Sequence, residues 1–248
     1  MRFFKDFEKV RYKFGNEASN ILFQNITTYT DIIDQIKDDA SFYQYEQIHE
    51  GFRPDQVSIR LYNSPLYHWT FYLMNDNLRL QGWPLTNREL EAKIKKDYEG
   101  TAITTRDSLN GIFTLGRTLT GAQSGSSSNI IHRNVEFGQI VVQANDLEFE
   151  VGESLVVNYP NPIDPQSIVT ETVTVHSYSE YYNAAHHYID GSGNWTDIDP
   201  LIGPGVQLTE VTNFENYINE NEALRSIKVI RPNVINDILS AYKKSIRS

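Results

Sequence analysis

The residues best placed to do chemistry are His186 and His187, with Asp190 three positions on. Imidazole and carboxylate together form the donor set of a transition-metal site. Their spacing works against one: adjacent residues of a strand point to opposite faces, so one buried and one exposed histidine is expected, and no metal. Asp190, Ser192 and Asn194 have the spacing that opens a calcium loop. The sixth position, however, is Trp195 where that loop needs Gly, and the twelfth is Leu201 where it needs Glu, so calcium is not expected. Tyr67, Trp69 and Trp83 offer rings on which a sugar could stack. Helical spacing assigns Trp69 to a core face instead, and Pro84 assigns Trp83 to a packed turn. With 32 Asp and Glu, chance pairs are certain, so a two-carboxylate glycosidase site is neither readable nor excluded. Gly-rich phosphate loops, nucleophile elbows and zinc-protease helix motifs are absent from the sequence. No catalytic residue, metal or cofactor is expected.

The elements that would position these side chains fall into three stretches. Residues 1–100 read as mainly helical. Val10, Tyr12 and Phe14 alternate like an extended segment, Ile32, Ile33 and Ile36 suit a short helix, and Phe42 to Ile48 suits a strand. Pro54 suits a first helical turn, with Val57 and Leu61 one turn apart. Ser64-Pro65 predicts a helix start whose face carries Leu66, Trp69, Thr70 and Leu73. Asn75-Asp76-Asn77 is a stop. Thr86 and Glu89 have capping-box spacing before Leu90, Ile94 and Tyr98, and Gly100 ends that helix.

Residues 101–180 are rich in Thr, Ser, Val and Gly and alternate with the period of strands. Phe113-Thr-Leu-Gly-Arg-Thr-Leu119 matches Phe149-Glu-Val-Gly-Glu-Ser-Leu155, which predicts a repeated strand, Gly turn and strand. Asn158 to Pro165 carries three prolines and reads as a loop. In residues 181–248, Asp190 to Asn194 predicts a hairpin loop, and Thr212 with Glu215 a second capping box. Ser226 to Ile230 reads as a strand, and a last helix carries Ile235, Ile238, Leu239 and Tyr242 on one face. The expected class is α+β: a helical N-terminal part, an inserted small all-β module and a mixed α/β C-terminal part.

Composition narrows the function. The chain has 248 residues, enough for one large domain or two smaller ones. No cysteine is present, which removes disulfides, Cys-based zinc sites and thiol nucleophiles and fits folding in a reducing cytoplasm. A net charge of −10 with no Lys/Arg block argues against nucleic acid as a partner. The charged N-terminus and the lack of an apolar run near ~18 residues argue against a leader or a membrane span. Aromatic residues make up 12%, with 15 Tyr. Such a composition suits either partner-facing surfaces or an aromatic core.

Three groups of residues carry a family resemblance. They are Phe3-Phe4 with Val10-Arg-Tyr12; Arg53-Pro54-Asp55, Leu61-Tyr62, Leu66-Tyr67-His68-Trp69, Asn75 and Trp83-Pro84-Leu85; and Ala185-His186-His187-Tyr188, Asp197-Ile198-Asp199, Asn219-Glu220 and Ile227 to Pro232. In that order they resemble the baseplate wedge subunit family of T-even-type contractile-tailed phages. The resemblance implies a non-enzymatic virion subunit, assembled in the host cytoplasm, present in several copies and joining wedge proteins around the tail tube. Its implied partners are other wedge proteins and neighbouring copies, met through Phe3, Phe4, Phe7, Tyr12, Trp83 and Tyr242. Some members carry a LysM-like portion, whose pattern the Thr/Ser/Gly-rich middle lacks. A peptidoglycan- or carbohydrate-binding module built on the β segment, and a tail-associated hydrolase, are the alternatives.

Overall fold

A computed structural model describes residues 8–13, 15, 20–24, 32–143 and 147–247. The elements run β1 (Lys9–Tyr12), β2 (Ile21–Gln24), α1 (Ile32–Asp38), β3 (Tyr43–Gln47), α2 (Pro54–Tyr62), a 3-10 turn (Pro65–Tyr67), α3 (Trp69–Met74), α4 (Asp76–Gln81) and α5 (Asn87–Asp97). Strands β4 (Thr101–Thr105), β5 (Thr118–Gly121), β6 (Ser127–Asn134), β7 (Gln139–Val142), β8 (Ser154–Pro160) and β9 (Ile168–Glu180) follow. A 3-10 turn (Tyr181–Asn183), β10 (Ala185–Ile189), β11 (Trp195–Thr196), β12 (Thr209–Thr212), α6 (Asn213–Ala223), β13 (Ser226–Ile230) and α7 (Ile235–Arg247) complete the chain. The class is mixed α+β. Among the described residues no helix is long and apolar enough to cross a membrane.

Two compact units form, one from Met1–Asn87 with Asn221–Ser248 and one from Arg88–Glu220. In the first, β13 pairs antiparallel with β3, from Ser226↔Gln47 to Ile230↔Tyr43. Val57, Phe71, Leu78, Ile227 and Val229 form one apolar cluster of this unit. Ile36, Met74, Ile230, Ile235, Ile238 and Leu239 form another. The stripe Ile235, Ile238, Leu239 and Tyr242 on α7 is buried, as its i, i+3, i+4, i+7 spacing requires. Tyr62 Oη donates to the Ile230 carbonyl at 2.8 Å, tying α2 to the end of β13.

The expected face of Leu66, Trp69, Thr70 and Leu73 does not form. Ser64 Oγ accepts from the Leu66 N–H at 3.3 Å, but Pro65 opens a 3-10 turn and α3 begins only at Trp69. A 3-10 turn advances three residues per turn, not 3.6, so the phase of the following helix is reset. The buried residues are Thr70, Phe71 and Met74, while Leu66 is 53% exposed.

In the second unit, six strands close into a barrel in the order β4-β7-β6-β5-β8-β9, every neighbour antiparallel. Closure leaves no free sheet edge. The thirteen-residue β9 pairs with β8 through its first half and with β4 through its second, with a bulge opposite Thr104 and Thr105. Alternate residues point inward, so Ile103, Leu119, Ile140, Val142, Leu155, Val157, Val173 and Val175 fill the interior. The exposed Thr and Ser of β9 alternate with them.

The sequence repeat takes a form other than strand, turn, strand. Phe113 and Phe149 lie in loops, not strands, and each drops into the barrel core. Gly116 (φ 82°) and Gly152 (φ 91°) then turn the chain into β5 and β8, where Leu119 and Leu155 point inward. Those strands are neighbours, with Gly121 opposite Leu155. The loop expected from Asn158 begins only after Pro160, because a proline ending a strand deprives the ladder of little.

Two carboxylates stitch the barrel loops. Glu153 is fully buried and accepts from the backbone N–H groups of Gln123 (2.9 Å), Ser124 (3.0 Å) and Glu150 (2.7 Å) and from Ser124 Oγ (2.8 Å). Glu171 accepts from the Phe113 N–H (2.6 Å), Arg117 (2.6 Å) and Tyr159 Oη (2.9 Å). Phe113 sits at φ 53°, where a bulky residue is strained, so the Glu171 bond helps hold it there. Burial pushes both carboxyls up, but the donors aimed at them outweigh it and hold each below the ordinary glutamate range.

The units part at 87/88 and 220/221, whereas the composition change placed boundaries at 100/101 and 180/181. Contacts beyond the strands explain the difference. Tyr98, just past α5, packs edge-on against Tyr181 and Tyr217. Gln139 of β7 donates to the Ala185 carbonyl of β10, and Phe137 packs on Tyr188. Gly100 marks the start of the first barrel strand: at φ 115°, a side chain there would stand 2.3 Å from the Val142 carbonyl oxygen.

Candidate functional site

Beside the barrel, within the second unit, lies a pocket of about 240 Å³ lined by Tyr98, His132, Asn134, Gln139, Tyr181, Ala185, His186 and Asn213. The eight lining residues come from six places along the chain. Tyr98 follows the end of α5, His132 and Asn134 lie at the end of β6, and Gln139 opens β7. Tyr181 opens the 3-10 turn after β9, Ala185 and His186 begin β10, and Asn213 begins α6. Ala102, Val141 and Ala184 pack together with Tyr181, and their small side chains let the β10 segment approach the barrel wall closely.

One side of the pocket is aromatic. Tyr98 and Tyr181 meet edge to face with ring centres 5.2 Å apart, and His132 stacks on Tyr181 at 6.1 Å. Burial pushes both phenols up from their ordinary value, so they remain hydroxyls at neutral pH. The other side is amide. Gln139 is 4% exposed and Asn213 is 3% exposed. Gln139 Nε2 donates to the Ala185 carbonyl at 3.3 Å, and Asn213 Nδ2 donates to the Tyr181 carbonyl at 2.8 Å. Asn134 Oδ1 accepts from the Glu136 and Phe137 N–H groups at 3.1 and 3.2 Å, and among the described residues its amino group has no acceptor. Among the described residues, Gln139 Oε1 and Asn213 Oδ1 have no hydrogen-bond donor. Two buried acceptors in one small space are unusual, since such groups are nearly always paired.

The histidines depart from expectation. A register shift between Ala185 and His187 breaks the alternation of β10, so the two imidazoles turn together. His186 Nδ1 and His187 Nδ1 are 2.9 Å apart, and His187 stacks on Trp195 at 4.1 Å. Asp190 does not join them: its carboxylate accepts from the Ser192 and Asn194 N–H groups of the hairpin loop at 2.8 and 2.9 Å. Among the described residues no group of three or more His, Asp or Glu side chains is arranged to hold a metal.

The histidine pair is expected to make the second unit acid-sensitive. At 2.9 Å one Nδ1 must donate and the other accept, which a doubly protonated pair cannot do. Burial, then the neighbouring His186, hold the His187 imidazole below its ordinary value. A depressed histidine contributes stability that is complete above the unfolded value of about 6.5 and is lost as pH falls through the folded value. Thermal melts between neutral pH and about pH 5 should therefore shift down by a few degrees. His187→Phe, which keeps a ring on Trp195, should flatten that slope; an unchanged slope would show that the pair contributes nothing.

Of the residues expected to bind partners, Tyr12, Trp83 and Tyr242 lie among the described residues. Phe3, Phe4 and Phe7 lie outside the described residues. Tyr12 is on β1 and 56% exposed, while Trp83 is half-buried, its Nε1 donating to the Phe52 carbonyl at 2.7 Å and its ring lying against Phe71 and Tyr72. Tyr242 is corrected to a core residue: it is 4% exposed, with its ring 5.7 Å from that of Trp69 on the inner stripe of α7. Tyr67, Trp69 and Trp83 form no common platform, since the first two belong to one apolar cluster and Trp83 to another. Apart from His186, the pocket residues carried no sequence signal as ligand groups, being scattered singly over several elements. No family model matches the chain, and no curated protein matches it.

Proposed function

We propose that this chain is a non-enzymatic structural subunit of a contractile phage tail baseplate, joining wedge proteins around the tail tube. The observation that carries the reading is where the wedge-like residues meet. Arg53-Pro54, Tyr62, Trp69, Asn75 and Trp83 from the first part of the chain share one compact unit with Ile227 to Pro232 from the last. They are joined there by Tyr62 to the Ile230 carbonyl and by Asn75 to Lys228. The β-barrel unit is inserted between these two parts of the chain. The working surface of this reading is the β1–β2 hairpin, on which Tyr12, Ile21, Leu22 and Phe23 are 41–56% exposed. Apolar residues displayed on a two-stranded hairpin suit burial against a neighbouring subunit.

Mass spectrometry of purified contractile-tailed particles should find the chain among the baseplate proteins. Leu22→Asp with Phe23→Asp should leave the melting temperature of the free chain within about 2 °C, since exposed substitutions cost little. The same double variant should reduce incorporation into particles at least about tenfold, the equivalent of ~1.4 kcal/mol of lost interface. Wild-type incorporation of that variant, or absence of the chain from particles, would overturn the reading.

A further inference from the structure

We infer that the pocket bounded by Tyr98, His132, Asn134, Gln139, Tyr181 and Asn213 is a binding site for a neutral sugar residue. The inference is independent of any role in a baseplate.

Size limits the ligand first. At about 240 Å³ the pocket is smaller than the roughly 300–1,000 Å³ of sites for drug-sized molecules, leaving room for one six-membered ring with its substituents. Chemistry limits it next. Gln139 Oε1 and Asn213 Oδ1 are buried acceptors that call for donors, while the Asn134 amino group calls for an acceptor. A hydroxyl is both at once, and adjacent ring hydroxyls present both in a fixed array. The Tyr98, Tyr181 and His132 rings supply the apolar wall that the C–H face of a pyranose needs. Among the described residues lining the pocket none is Asp, Glu, Lys or Arg, so no permanently charged side chain is there to pair with a charged ligand. The chain's net charge of −10 opposes an anionic one further.

The test is saturation-transfer NMR on the full chain with glucose, galactose and N-acetylglucosamine. Their uronic acids and phosphates serve as charged counterparts, and short oligosaccharides probe the source. At least one neutral sugar should bind with Kd on the order of millimolar, and its titration should shift the ring protons of His132 and Tyr181. Oligomers binding more tightly than the monosaccharide would identify a glycan chain as the natural source, and equal binding a free sugar. Gln139→Leu, which keeps volume but removes the amide oxygen, and Tyr98→Ala at the aromatic wall should each weaken binding at least about tenfold in folded protein. Should either variant fail to fold, the ring-proton shifts of the native chain still decide. No transfer from any neutral sugar at tens of millimolar, transfer that survives in both variants, or binding confined to the anionic sugars would overturn the assignment.

Discussion

Glu153→Ala is expected to lower the melting temperature of the barrel unit by roughly 12–16 °C, corresponding to about 4 kcal/mol. Four donors converge on this fully buried carboxylate, three of them backbone N–H groups from the loops at 121–126 and 149–153. Each donor left unpaired costs about 1–3 kcal/mol, reduced where water can enter after the side chain is removed. Gly121 packs against the same carboxylate, with space so tight that a Cβ there would lie 2.7 Å from Glu153 Oε2. Glu153→Gln separates hydrogen bonding from packing. Each carboxylate oxygen accepts two of the four donors, so the amide's amino group faces two backbone N–H groups in one orientation, and one N–H with the Ser124 hydroxyl, which can turn to accept, in the other. The Gln variant should therefore melt below the native chain but above the Ala variant. Calorimetry showing a loss under about 3 °C for both would mean that the loops hold themselves.

The pH dependence of these carboxylates follows from the same contacts. Glu153 and Glu171 are held below the ordinary glutamate value, so their contribution is present above about pH 4.3 and lost as pH falls through the folded values. It lies at lower pH than the histidine step, and the two are separable in one acid titration.

Asn75→Ala should destabilise the first unit by about 3 kcal/mol. Asn75 is 8% exposed, its Oδ1 accepts from the Lys228 N–H at 2.8 Å, and its Nδ2 donates to the Lys228 and Phe71 carbonyls, each at 2.8 Å. Lys228 lies mid-strand in β13, whose ladder partner is β3. Asn75 thus pairs with the strand backbone as a neighbouring strand would, while also closing the last turn of α3. Truncation leaves the Lys228 N–H and carbonyl without their partner, while the Phe71 carbonyl keeps the Asn75 backbone N–H at 3.1 Å. Asn75→Asp keeps the shape but cannot donate to two carbonyls, so it should cost at least as much as Ala. Circular dichroism melts within about 3 °C of native for both variants would show that water replaces the side chain freely.

Local signals were legible from residue types alone. Thr212 and Glu215 form the expected reciprocal cap, with Thr212 N to Glu215 Oε2 at 2.9 Å and Glu215 N to Thr212 Oγ1 at 3.1 Å. The strand at Ser226–Ile230 and the buried stripe of α7 follow from periods of two and 3.6 that any short window contains. Ser64-Pro65 predicted a helix start, but the structure has a 3-10 turn there, and that one turn was enough to rotate the face of α3. What only the tertiary structure decided is non-local. The barrel order β4-β7-β6-β5-β8-β9 depends on which strands close loops upon which, and alternation is compatible with many pairings. A bulge in β10, set by pairing with β12, brought together two imidazoles that strand geometry would have separated. The pocket was invisible for the same reason. Its rings and amides are ordinary residues one at a time, and they acquire chemistry only where barrel closure and the docking of α5, β10 and α6 within one unit gather them around one pocket, with two buried amide oxygens lacking donors among the described residues.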